Sequence, residues 1–213
     1  MIFSTPPAIY QVSAFEALRA GKYDGTYDVR NLTKHGDFGL GTYNGLDGEM
    51  VVLGGHMYQI NAFGEAKAPR AETKTPFAFV TYFHPARTFN ISSSMTSKQV
   101  QAEIDKRFPT GFLAIHISGQ LTGLQSRSFA PQQKPYQPFA KIGDRQSMLP
   151  YGKTAGDLVG FRMPATVGTL SVPGYHFHFI STNRKHGGHV LAYGVQSGKV
   201  ELMPIKGIDK AKL

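Results

Sequence analysis

Tyr175-His176-Phe177-His178-Phe179-Ile180, followed by Asn183-Arg184-Lys185-His186-Gly187-Gly188-His189-Val190, is the stretch that decides how this chain is read. Aromatic residues and histidines alternate, the period-two pattern of a strand whose faces meet different surroundings. Tyr175, Phe177 and Phe179 then point to a core, and His176 and His178 share the other face. A turn through Ser181 to Gly187 returns the chain as an antiparallel strand, His189-Val190-Leu191-Ala192-Tyr193, with His189 near Ile180 on the histidine face. The Gly-Gly pair before His189 gives the backbone room for a close approach. His176, His178 and His189 are therefore the predicted metal ligands. Catalytic zinc typically takes three protein ligands and keeps a fourth position open, whereas structural sites are closed and usually contain thiolate; this chain has no cysteine. His186 falls in the turn and is expected to be solvated. A register slip of one residue would turn the face over and remove His189 from the set.

The remaining chain reads as strand-rich with few helices. Ile9 to Val12 is a short first strand, and Ala14 to Arg19 a helix opened by a capping box of Ser13 and Glu16 and closed by Gly21. Glycine-bounded hairpin segments follow at Phe38 to Tyr43, Glu49 to Leu53 and Met57 to Ile60, the first two joined through Asn44-Gly45-Leu46-Asp47-Gly48. Pro76 to Phe83 has the β-branched and aromatic content of a buried strand. Thr96 to Phe108 is an amphipathic helix with Val100, Ile104 and Phe108 on one face, ended by Pro109. Phe112 to Ile117 and Leu158 to Arg162 are further strands, separated by the proline-rich segment Pro131 to Pro138. The expected organisation is α/β (α+β, strand-rich), in two subdomains built on mixed sheets: residues 1–130, and residues 139–213 carrying the metal site.

With 213 residues and 41% hydrophobic content the chain can bury a substantial core. No apolar run approaches the ~18 residues of a membrane span, and Met1 to Pro7 lacks the basic and apolar regions of a secretory leader, so no membrane partner and a cytoplasmic location are expected. The net charge of +9 is scattered, with local clusters only at Arg184-Lys185 and at Lys206, Lys210 and Lys212. Nucleic acid is therefore not an expected partner, and a basic field favours a small anionic ligand.

Several motifs fall together in order. Ile9-Tyr10-Gln11-Val12-Ser13, His35-Gly36-Asp37-Phe38-Gly39-Leu40-Gly41-Thr42-Tyr43-Asn44-Gly45-Leu46-Asp47-Gly48-Glu49, Lys134-Pro135-Tyr136, Gly160-Phe161, Gly174 to Phe179 and Gly187-Gly188-His189-Val190 resemble the α-acetolactate decarboxylase family over about residues 9 to 202. The resemblance implies two mixed-sheet subdomains, usually a homodimer, with Zn2+ held by the three histidines, and it implies functional roles for Glu49 and Arg127. It also implies a carboxylate in a tail segment beyond the strand equivalent to Lys199-Val200-Glu201-Leu202; neither Glu201 nor Asp209 stands at that position, and the sequence ends at Leu213.

The implied reaction is loss of carbon dioxide from 2-acetolactate to give acetoin, a lyase step of fermentative butanediol formation. The bond that breaks leaves an electron pair that the neighbouring ketone takes up, creating an enediolate whose charge a Lewis acid would stabilise. Arg127 would orient the substrate carboxylate, with proton donation second, because a guanidinium is a poor acid. Glu49 would handle the hydroxyl proton. One alternative is a non-catalytic relative that holds zinc and binds a small keto or hydroxy acid. A cupin-like oxygenase is disfavoured, since Ser181-Thr182-Asn183 supplies no carboxylate after the second histidine.

Overall fold

The computed structural model describes residues 7–210; most of the start read for a leader, and Lys212 of the basic tail, lie outside the described residues. Along the chain run β1 (Ile9–Val12), α1 (Phe15–Arg19), β2 (Tyr27–Asp28), β3 (Phe38–Thr42), β4 (Glu49–Leu53), β5 (His56–Ile60), β6 (Ala66–Lys67), β7 (Lys74–Thr75), β8 (Ala78–Thr81), β9 (Arg87–Ile91), β10 (Met95–Thr96), α2 (Ser97–Arg107), β11 (Phe112–Phe129), β12 (Gln146–Met163), β13 (Gly174–Ser181), β14 (Gly187–Ile205) and β15 (Ile208–Lys210). No helix among the described residues is long and apolar enough to cross a membrane.

Two large sheets form. The first has the order β15-β1-β8-β3-β4-β5-β6 and is antiparallel except for the parallel β1–β15 pair. The second has the order β10-β14-β11-β12-β13, with β9 also on β14, and it curls until β13 pairs with β14 as well. Sheet membership does not divide the chain at residues 130–139 as the sequence suggests. β9, β10 and β11 lie in the second sheet, and β15 returns to the edge of the first. The reason is the length of β11, which carries on through Phe129 where its apolar start suggested a strand of six residues. Polar residues such as Gln120, Thr122 and Gln125 alternate along its far half, and β12 and β14 supply the hydrogen bonds.

Side-chain parity builds the layers. On β11, Leu113, Ile115 and Ile117 face a core capped by Val100 and Ile104 of α2, while Ala114 faces the first sheet. Phe161 of β12 reaches that sheet and meets Phe38 and Phe79 edge-on at centroid distances of 5.9 and 5.5 Å. Each such fully buried aromatic contributes roughly 1.5–3 kcal/mol. The outer face of the first sheet is covered by Val29 and Leu32.

Helix α2 has a capping box, which the sequence suggested for α1, its N-cap being Thr96 and its partner Gln99. Helix α1 does not. Its N-cap is Ala14 without a side-chain bond, because Ser13 takes a left-handed conformation (φ 62°) that points the chain into the helix from another direction.

Candidate metal centre

The histidine hairpin forms with the predicted parity and a shifted register. Phe177 and Phe179 enter the core beneath α2, and His176 and His178 face the first sheet. His189 stands directly opposite His178, not Ile180, whose partner is Gly187. Glycine is required at 187, where a Cβ would come within 2.4 Å of the Phe179 carbonyl. The correction strengthens the set, since directly opposed residues of an antiparallel pair share a face.

Ligand-type nitrogens of His176, His178 and His189 lie within 4.8 Å of one another. His189 Nδ1 is 3.2 Å from both His176 Nε2 and His178 Nε2. His178 Nδ1 donates to the Met50 carbonyl at 2.8 Å. That carbonyl can only accept, so Nδ1 carries the proton and Nε2 of the neutral ring presents a lone pair. Burial, joined by the charge of Arg127, lowers the His176 pKa to about 4. Burial also holds His178 and His189 well below the usual imidazole range. Neutral imidazole is the form that binds metal. Three buried nitrogens that approach one another with so few protons between them fit a shared cation, and the carbonyl-oriented His178 adds the outer contact common at such sites.

Two charged residues join them. Glu49 opens β4 after a turn in which Gly48 (φ 82°) is obligatory, since a Cβ there would sit 2.0 Å from the Ile60 carbonyl. Its carboxylate lies 3.4 Å from His178 Nε2 and 3.4 Å from Arg127 Nη1. Burial pushes the Glu49 carboxyl up to about 7 against the opposing pull of Arg127. Arg127 stands opposite His189 across β11 and β14, and burial lowers its pKa while Glu49 resists. All five side chains line one cavity of about 250 Å³. The structure thus brings together every residue singled out for the site. His186 is exposed in the turn, away from them.

The rest of the lining was missed at the level of sequence. Thr42 is buried at the polar end, its hydroxyl donating to the Gly48 carbonyl at 2.7 Å and so fixing the turn before Glu49. Phe15, Leu18, Phe77, Phe139 and Val172 give the cavity an apolar wall. No local spacing signals the set, because its members come from four separate parts of the chain, α1 supplying both Phe15 and Leu18.

Residues 9–211 match the family model described as alpha-acetolactate decarboxylase. The chain belongs to the alpha-acetolactate decarboxylase family. A relative of that name from Methanosarcina mazei is 42% identical over 196 residues, covering 91% of this chain and 68% of that protein. The Bacillus subtilis relative is 36% identical over 91% of this chain and 77% of its own length. The crystal structure of alpha-acetolactate decarboxylase from Bacillus subtilis superposes with a TM-score of 0.93 at 34% identity, over 96% of this chain and 88% of the other. A Staphylococcus aureus protein of unknown function, described as similar to alpha-acetolactate decarboxylase, superposes with a TM-score of 0.91 at 29% identity. The family is one of carbon–carbon lyases, and its strand-rich fold is the one seen here.

Proposed function

We propose that this protein decarboxylates 2-acetolactate to acetoin and uses zinc to do so, with His176, His178 and His189 as its ligands and Glu49 and Arg127 as catalytic groups. The observation that carries the proposal is the meeting of three neutral imidazoles, one carboxyl and one guanidinium in a single small cavity of a chain from this family. At about 250 Å³ the cavity sits below the ~300–1,000 Å³ typical of pockets for larger ligands, as suits a five-carbon acid.

Zinc, if held by the three histidines, would supply a Lewis acid for the negative charge that develops on the substrate. Arg127 pairs with the substrate carboxylate in a site where little water screens the pair, and so fixes the bond that will break. Glu49, between Arg127 and His178, accepts the hydroxyl proton. As the bond to the carboxylate carbon breaks, its electron pair moves towards the ketone and carbon dioxide leaves. The carbon left behind then takes a proton supplied from solvent on the side where Arg127 lies, and Glu49 returns the hydroxyl proton to its oxygen, so that one proton is consumed per turnover. The apolar wall excludes water from the developing negative charge, which strengthens its interaction with the cationic groups.

The decisive experiment follows acetoin and carbon dioxide from acetolactate with zinc-loaded protein, with chelator-stripped protein, and after zinc is restored. Turnover should require zinc and return with it. Binding of acetolactate, displaced by acetoin, with no carbon dioxide above the spontaneous rate would overturn the proposal in favour of a binding protein. The family resemblance further supports a homodimer, for which light scattering should give twice the 23.3 kDa chain mass.

A further inference from the structure

Gln11 is fully buried in β1 and takes no part in the chemistry above. Its amide nitrogen donates twice, to the Ser13 carbonyl at 2.7 Å and to the Leu170 carbonyl at 2.8 Å. Its amide oxygen has no hydrogen-bond partner among the described residues. An orphan buried acceptor is unfavourable, so an apolar side chain would serve a strand interior better than this one. What the amide achieves is a link between two short segments far apart in sequence. One begins at Ser13, held in its left-handed conformation, and delivers Phe15 and Leu18 to the cavity. The other is the turn Ala165–Leu170, which packs on α1 and leads to Val172. Phe15 also meets Phe77 edge-on at 5.7 Å, so the segments and the sheet form one continuous apolar surface.

Resting on the function proposed above, we infer that Gln11 is a positioning residue for substrate selection: it clasps the two segments whose Phe15, Leu18 and Val172 side chains close the cavity over the hydrocarbon part of the acid. The wall is built from short pieces, a five-residue helix and the chain that follows a 3-10 turn. Without the clasp its distance from the polar groups is not fixed, and discrimination between alkyl groups of different length is lost.

The test reads binding, not turnover. 2,3-Dihydroxy-2-methylbutanoate and its 2-ethyl homologue have no ketone to accept the electron pair and do not decarboxylate. Their dissociation constants are measured by calorimetry on zinc-loaded protein. A methylene in a fitted apolar pocket changes discrimination by ~10–200-fold. Gln11→Leu should shift the ratio of the two constants towards the larger acid by ~10-fold or more, with zinc content unchanged. Val172→Phe, at a position 43% exposed and so tolerant of substitution, should shift it the other way. Gln11→Met provides a second variant should Gln11→Leu not fold. An unchanged ratio in a folded Gln11 variant, or in Val172→Phe, overturns the inference, as does failure of both Gln11 variants to fold. If neither acid binds the wild-type protein, the proposed function itself has failed; if both bind and the ratio does not move, only the role of Gln11 has.

Discussion

The second sheet carries two groups of partly or fully buried histidine, and their surroundings are opposite. His176, His178 and His189 turn nitrogens towards one another, and among the described residues the carboxylate that joins them is Glu49, 3.4 Å from His178 Nε2. His116 has both ring nitrogens occupied by carboxylates, Nε2 facing Asp157 at 2.8 Å and Nδ1 facing Glu201 at 3.0 Å. Those acids are in turn paired with Arg184 and Lys199. The His116 network closes on itself with every charge answered. The hairpin set has no such pair of carboxylates among the described residues, and its nitrogens face one another instead. Burial of histidine is common to both, and what separates a metal centre from an ionic cross-link is whether the nitrogens are already committed.

The comparison breaks most sharply at His178. His178→Ala should remove the zinc, taking a purified chain from about one equivalent to near zero, and abolish turnover, whereas His116→Ala should retain the metal in the protein that folds. Elemental analysis of both variants checks this, and equal zinc in the two would dissolve the distinction. Next in size are Glu49→Gln and Arg127→Ala. Each should keep zinc and fold but lower kcat by ~10²-fold or more, the scale of a positioned acid–base or charge-stabilising group. Wild-type rates in both would place catalysis elsewhere.

A smaller effect belongs to the His116 side. Burial raises the Asp157 carboxyl, but hydrogen bonds from His116 and Arg184 outweigh it and hold the pKa below its ordinary value; Glu201 is likewise held low by Lys199 and His116 against its own burial. Folded values below unfolded ones mean that the unfolded chain binds more protons as acid is added. The stabilisation is therefore complete above the unfolded values near 4 and is lost as pH falls through them towards the folded ones. Asp157→Asn should cost ~1–3 kcal/mol at neutral pH, leave zinc stoichiometry unchanged, and flatten the decline of stability in acid. Denaturant titrations at neutral and acidic pH measure all of this, and an undiminished acid slope would remove Asp157 from the account.

The two groups were not equally legible in the sequence. Alternation over six residues of β13 placed His176 and His178 on one face, because side-chain parity is a local property. The partner of His189 was displaced by two residues, since the register depends on how closely the glycine backbone at 187 approaches Phe179. Glu49 and Arg127 had no pattern of their own; 78 residues separate them, and only the family resemblance pointed to them. His116 could not be found at all. Its partners lie 41 and 85 residues away, beside or within strands that the sequence showed without showing how they pair. Overall strand content was similarly accessible where apolar residues run together, as in β4, and inaccessible in the far half of β11 and the first half of β12. There hydrogen bonding to neighbours, not apolar patterning, sustains the strand.

His186 gives the smallest expected effect and the finest discrimination. It lies three residues from His189 in sequence and would be a natural ligand on spacing alone. In the fold it is exposed, and the isolated bridge that joins it to Glu65 is made by backbone and not by its ring. Its ring centroid is 6.5 Å from that of Tyr151, too loose a contact for much packing energy. His186→Ala should therefore change unfolding free energy by no more than ~0.5 kcal/mol and leave both zinc content and turnover as they were. Loss of metal in this variant, with the fold intact by circular dichroism, would mean that the turn reaches the cavity and that proximity in sequence, not the orientation of lone pairs, had chosen the ligands.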